Sequence, residues 1–228
     1  MNLQASRCRH DHDETMNENS EHELPIFPAT APPEMTSVES AKHLLTNVLE
    51  ALAEVVDPTT DQLSLPTPCE NFDVATLREH TLGWLTFFAA ALNDPGGVTT
   101  RPDPTTAPTS RSGKDIVEQA SRDISAAIEN GVIDRYVAMS EAQMSGGAVL
   151  AMALGEYIIH GWDLATSTGR PWPVFEKESG PALAFLQGTV QPEYRGPESG
   201  FFGAEVEAPE DATPRQRLLC FAGRAVDQ

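Results

Sequence analysis

Residues 146–165 read "GGAVLAMALGEYIIHGWDLA". On a helical wheel Glu156 and His160 share a face, since four residues are one turn and about 6 Å along the axis. Val149 and Met152 precede them on that face, with Ile159 at its flank. The opposite side, Leu150, Leu154, Ile158 and Ala165, is apolar too. A helix that is hydrophobic nearly all round belongs at the centre of a bundle rather than on its surface. Glu156 and His160 are therefore expected to be buried or to line a cleft.

Outward from this segment the chain keeps helical periodicity. A first helix is expected from "TSVE", with Thr36 as N-cap and Glu39 completing a capping box, to about Val56, just before Pro58. Its apolar stripe is Val38, Ala41, Leu45, Val48, Leu52 and Val55, and His43 falls on the solvated side. A second helix follows "LPTPCENF", capped by Asp73, with Phe72 placed to staple against Leu77. It ends at Pro95-Gly96-Gly97. Leu77, Trp84, Phe87 and Ala91 form its apolar stripe, and His80 fills the gap in that stripe, so His80 points inward.

The Pro/Thr-rich stretch "GGVTTRPDPTTAPTSRSG" (residues 96–113) is too long for a tight turn and reads as a crossover loop. A third helix is expected over about 114–130, with Val117, Ala120, Ile124, Ala127 and Ile128 inward, followed by an irregular segment, "GVIDRYVAMSEAQMSGG". Beyond Gly169 come a shorter helix around 176–189, a Gly/Pro-rich excursion and a last helical piece, "PRQRLLCFAGRA". The expected fold is all-α: a four-helix bundle with a long crossover loop and additional short C-terminal helices. Residues 1–33, acidic and then Pro-rich, hold too little apolar surface to offset the entropy of ordering and read as a disordered tail. Residues 34–228 make the bundle. The tail's Cys8, His10 and His12 lie close together, a pattern that in a flexible tail carries no specific site.

The formal net charge of −19 excludes nucleic acid and anionic membrane surfaces as natural partners, because both are bound through Lys and Arg. The longest apolar run, "GWLTFFAAAL", falls short of the roughly 20 residues a membrane-spanning helix needs. The N-terminus has no apolar segment of the secretory kind. Three widely spaced cysteines, Cys8, Cys69 and Cys220, suggest neither a disulfide framework nor a zinc knuckle. The expected location is the cytoplasm.

A buried carboxylate needs a partner, because left alone it costs several kcal/mol or takes up a proton. One candidate is an ion pair between Glu156 and His160 within the helix. The other is a divalent cation held by His80, Glu156 and His160, since facing helices of a bundle supply metal ligands in this manner. Two imidazoles and a carboxylate leave coordination positions open, which is the pattern of a reactive site. Zinc is the first choice, and Fe(II) and Ni(II) suit the same ligands. Asp163, one turn beyond His160, is placed to accept a hydrogen bond from that imidazole or from a backbone group, the usual task of a carboxylate behind a metal-bound histidine, the alternatives being a capping or a surface role. Cys69 precedes the second helix, where a helix N-terminus lowers a thiol's pKa, but a small packing residue suits the position better. Trp84 and Trp162 read as core.

Three segments carry a resemblance. "LPTPCENFDVATLREHTLG" (65–83) is similar to the Thr-Pro-Cys, aromatic, Leu-x-x-His segment of the mycothiol-dependent maleylpyruvate isomerase metal-binding family. "GEYIIHGWDLATSTG" (155–169) is similar to its Glu-Tyr-x-x-His-Gly-Trp-Asp-Leu-Ala segment. The closing "FFGAEVEAPEDATPRQRLLCFAGR" resembles the ending of a short actinobacterial branch without the isomerase's extra C-terminal domain. The family belongs to the DinB-like four-helix bundles, and the resemblance covers about residues 36–226. It implies metal ligands at His80, Glu156 and His160, and Phe72 stands where the family commonly has Trp. It also implies a transferase or isomerase that uses a low-molecular-weight thiol, mycothiol or similar, on a small electrophile. The alternatives are a metal-binding protein without turnover, a sensor or sequestering protein, and a bundle whose three inward polar residues form only a hydrogen-bond network. The sequence singles out no catalytic acid or base, and it leaves the oligomeric state open.

Overall fold

The computed structural model describes residues 24–70, 72–139, 142–196 and 202–226. Cys8, His10 and His12 lie outside them. Four long helices form the bundle: α1 (Val38–Val55), α2 (Val74–Asn93), α3 (Gly113–Glu129) and α4 (Gly146–Thr168). Helices α1 and α2 each pack against both α3 and α4, and their apolar stripes meet in one core. Leu45, Val48, Leu52, Leu77, Leu85, Ile124, Ile128, Leu150, Leu154 and Ile158 are all buried within it. The α4 helix is buried on nearly every side, as its sequence requires. Two shorter helices, α5 (Glu176–Thr189) and α6 (Pro214–Phe221), extend the bundle, with α5 packed between α4 and α6.

Local chemistry sets the helix starts. Asp73 caps α2 through the Thr76 amide at 2.8 Å, Ser112 caps α3 through that of Asp115 at 3.1 Å, and Ser145 caps α4 through that of Ala148 at 3.3 Å. The first helix departs from expectation. Its N-cap is Ser37, which accepts from the Ser40 amide, and Thr36 belongs to a preceding 3-10 turn, Pro33–Thr36, where its hydroxyl donates to the Pro33 carbonyl at 2.7 Å. Both Thr36 and Ser37 are able to cap; the proline that opens the 3-10 turn draws Thr36 into it and leaves the task to Ser37. Val38 then falls in the first turn and is exposed instead of joining the stripe.

The long connection between α2 and α3 lies flat on α2. A side chain at Gly83 would place its Cβ 2.3 Å from the Pro104 carbonyl oxygen, so only glycine admits this approach.

The segment expected to be irregular contains an antiparallel hairpin, β1 (Tyr136–Ala138) and β2 (Gln143–Ser145). Part of the expected tail is also bound: the Phe27 amide donates to the Gln143 carbonyl at 2.9 Å, the Gln143 amide to that of Pro25 at 2.8 Å, and the Gln143 side chain to that of Leu24 at 3.0 Å. Residues 24–27 thus pair with the hairpin at Gln143, and the chain then leads into the fully buried Met35. Three-residue strands are too short to leave a period-two signal.

One carboxylate ties three helices together. Asp57, just past α1, accepts from the Gly113 and Lys114 amides at the start of α3, both at 3.0 Å. It also accepts from Arg78 of α2, at 3.2 Å from Nε and 2.7 Å from Nη2. Burial raises its pKa, but the amides and the guanidinium outweigh this and hold it below the usual carboxylate range. Replacing Asp57 with Ala should cost about 1 kcal/mol in urea unfolding at pH 7, the lower end for a cap because the side chain is partly exposed. Since the folded pKa is the depressed one, this contribution is complete above the unfolded value of about 4 and fades as pH falls through the folded one. Parent and variant should converge in acid.

Candidate metal centre

The α2 and α4 helices pack side by side and bring His80 of one against Glu156 and His160 of the other. Glu156 Oε1 lies 3.0 Å from His80 Nε2 and 3.3 Å from His160 Nε2. The two imidazole rings meet edge to face with centroids 5.2 Å apart. The ligand atoms of the three residues all lie within 4.8 Å of one another. Side-chain exposures of 28%, 25% and 11% for His80, Glu156 and His160 mean that the cluster faces solvent from one side and is closed behind His160.

Two aromatic rings flank His80. The Phe72 ring sits 5.3 Å from that of His80, and Trp84 sits 6.4 Å from it on the same helix. The expected staple residue Phe72 thus has its ring against the candidate ligand. Burial would raise the Glu156 carboxyl's pKa, but the neighbouring His160 and His80 imidazoles, with Arg224 further off, hold it down at about 2.

Behind His160 the arrangement continues inward. His160 Nδ1 is 3.0 Å from Asp163 Oδ2, and Asp163 has no exposure at all. Burial works to raise its pKa, but hydrogen bonds from His160 and Arg224 lower it on balance, so the group is a carboxylate. A carboxylate only accepts, so His160 Nδ1 must be the donor. On the neutral ring, Nε2 then bears the lone pair and is turned toward Glu156.

The partner that neutralises Asp163 is Arg224, with Nε 3.2 Å from Oδ1 and Nη2 2.7 Å from Oδ2. The sequence reading did not single out this arginine. A signal was available: a helix buried all round that carries Asp163 requires a buried cation, and Arg224 follows the apolar "CFAG" of the last helix.

A second group, Cys69, His160 and Asp163, also lies within ligand reach. It is a poorer set of donors. Both Asp163 oxygens are engaged by Arg224, and burial, reinforced by the Asp163 and Glu156 charges against the pull of Arg224, pushes the Cys69 thiol up to about 11. The chemistry of His80, Glu156 and His160 fits a divalent cation better. Zinc ligands about 2.1 Å from the ion stand roughly 3.4 Å apart in a tetrahedral site, close to the 3.0 and 3.3 Å spacings here.

Comparison with known proteins shows the family. The model of the mycothiol maleylpyruvate isomerase N-terminal domain matches residues 44–165, just over half of the 228-residue chain. The chain belongs to this family. The matched region includes His80, Glu156, His160 and Asp163, and it ends well before Arg224. Two relatives, uncharacterized proteins of Mycobacterium tuberculosis strains CDC 1551 and H37Rv, are each 26% identical over 168 residues, covering 73% of this chain and 87% of the relative. No solved structure matches the chain. Among the described residues, no helix is long and apolar enough to cross a membrane.

The raised Cys69 pKa has a direct chemical readout. At pH 8 its thiolate fraction should be about a hundredth or less of that of an ordinary thiol of pKa near 8.5. Site-resolved iodoacetamide labelling should therefore be at least roughly 100-fold slower at Cys69 in the folded protein than in urea. Equal rates would show the thiol to be as reactive as an ordinary one, without a raised pKa.

Proposed function

We propose that the protein binds a divalent metal ion through His80, Glu156 and His160. On this reading it is a transferase or isomerase that uses a low-molecular-weight thiol, mycothiol or a close analogue, on a small electrophile. The observation that carries the reading is the convergence of two imidazole Nε2 atoms and one ionised carboxylate, from two helices, at a partly exposed point. Membership of a mycothiol-related family supports the choice of thiol.

His80 and Glu156 hold the solvent side of the site, and His160 holds the inner side. Asp163 keeps the proton on His160 Nδ1 and so leaves Nε2 free to ligate. Phe72 and Trp84 limit the water that reaches the cluster and offer an apolar wall to the electrophile. When bound, the cation supplies Lewis acidity, which brings a coordinated thiol to its thiolate near neutral pH. Zinc suits the donor set, as do Fe(II) and Ni(II). The unpaired Cys69 and Cys220 are in keeping with a reducing cytoplasm.

Elemental analysis after anaerobic reconstitution tests the metal directly. The parent should carry close to one ion per chain, while His80→Ala and Glu156→Ala should retain less than a tenth of it. Calorimetric titration of the loaded parent with mycothiol should then show saturable binding, followed by thiol consumption with a panel of small electrophiles. A parent that takes up no metal sinks the reading and leaves the three residues as a hydrogen-bond network. Stoichiometric metal without thiol binding would instead make this a sensor or sequestering protein.

A further inference from the structure

Arg224 lies outside the region matched by the family model, yet it closes the chain of contacts behind the candidate metal ligands. All three of its side-chain nitrogens are committed: Nε and Nη2 form a fork on the two oxygens of Asp163, and Nη1 donates to the Ala222 carbonyl at 2.6 Å. The arginine is 6% exposed and Asp163 not at all. Asp163 Oδ2 receives both Arg224 Nη2 and His160 Nδ1, so the guanidinium fixes the oxygen that fixes the imidazole.

The backbone aims the arginine inward. The α6 helix ends in a turn in which the Gly223 amide donates to the Cys220 carbonyl at 3.0 Å and the Arg224 amide to that of Leu219 at 2.9 Å. Gly223 has φ +86, and a Cβ there would meet the Ala204 oxygen and the Gly203 backbone at about 3.0 Å. Only glycine makes this turn against the neighbouring strip without strain.

We infer that Arg224 is a positioning residue of the metal site: by clamping Asp163 in one orientation it holds His160 in the tautomer that turns its Nε2 lone pair toward Glu156 and His80. The inference rests on the metal reading above and extends the site to the C-terminal segment. A guanidinium suits the task because its planar fork takes both carboxylate oxygens at once, which an ammonium group does not. Loosening such a partner of a metal-bound histidine typically weakens metal binding 10- to 100-fold.

The first test uses the parent protein without metal. Long-range 15N–1H NMR on the neutral His160 ring should place the proton on Nδ1. A neutral ring protonated on Nε2 overturns the inference whatever the metal does. The second test compares zinc affinity, by chelator competition, in Arg224→Lys and in the double variant Arg224→Met/Asp163→Asn, which leaves no buried charge unpaired. Each variant that melts cooperatively should bind zinc at least 10-fold more weakly and show both His160 tautomers. A folded variant with the parent's tautomer and a zinc affinity within twofold of the parent's would reduce Arg224 to a structural partner of Asp163 and overturn the inference. Where neither variant folds, the parent's tautomer decides. A parent that binds no zinc removes the metal reading, while the tautomer still reports whether Asp163 is clamped.

Discussion

Asp163 stands with no solvent exposure between His160, 3.0 Å away, and the Arg224 fork, and it does so on a helix packed on nearly every side. A carboxylate in that position is tolerable only when its charge is met and its oxygens are hydrogen-bonded. Meeting it draws the C-terminal segment across the bundle to α4, and α5, packed between α4 and α6, forms the bridge. The extra helices are therefore more than an appendage to a four-helix core. They deliver the cation without which the central helix could not carry its acid.

The two carboxylates of α4, seven residues apart, have opposite circumstances. Asp163 is paired with a fixed guanidinium inside the protein, and its oxygens are fully engaged. Glu156 has only two imidazoles around its nearer oxygen and keeps a quarter of its side-chain exposure. Glu156 therefore lacks the two-oxygen fork of a fixed guanidinium that Asp163 has. One carboxylate is spent on architecture, and the other is left with capacity for an external cation. The engaged group lies deeper, and the other keeps contact with solvent.

The four long helices and the α5 helix were legible because each carries a long apolar stripe or a capping residue, and the same helical wheel turns His80, Glu156 and His160 inward. What was not legible was what depends on distant pairing. The hairpin Tyr136–Ala138 with Gln143–Ser145 leaves three residues per strand, too few for a pattern, and the docking of residues 24–27 is made by backbone groups that any composition supplies. The Thr36 and Ser37 alternatives at the first cap are chemically equivalent, and a neighbouring proline chose between them. Arg224 escaped notice because it sits 61 residues from its partner in a segment with weak periodicity. Its need was nevertheless implicit in the burial of Asp163.

The strip that pairs with the hairpin has a further consequence. A two-stranded ribbon offers an open row of amides and carbonyls to any extended chain it meets, and such rows are where proteins pair edge to edge and aggregate. Here "LPIFPA" (residues 24–29) occupies that row through Pro25, Phe27 and Gln143. Two of its six residues are prolines, which have no amide hydrogen to offer a further strand. The segment thus terminates the sheet as well as extending it, guarding an acidic, otherwise helical protein at its one described stretch of exposed β-structure.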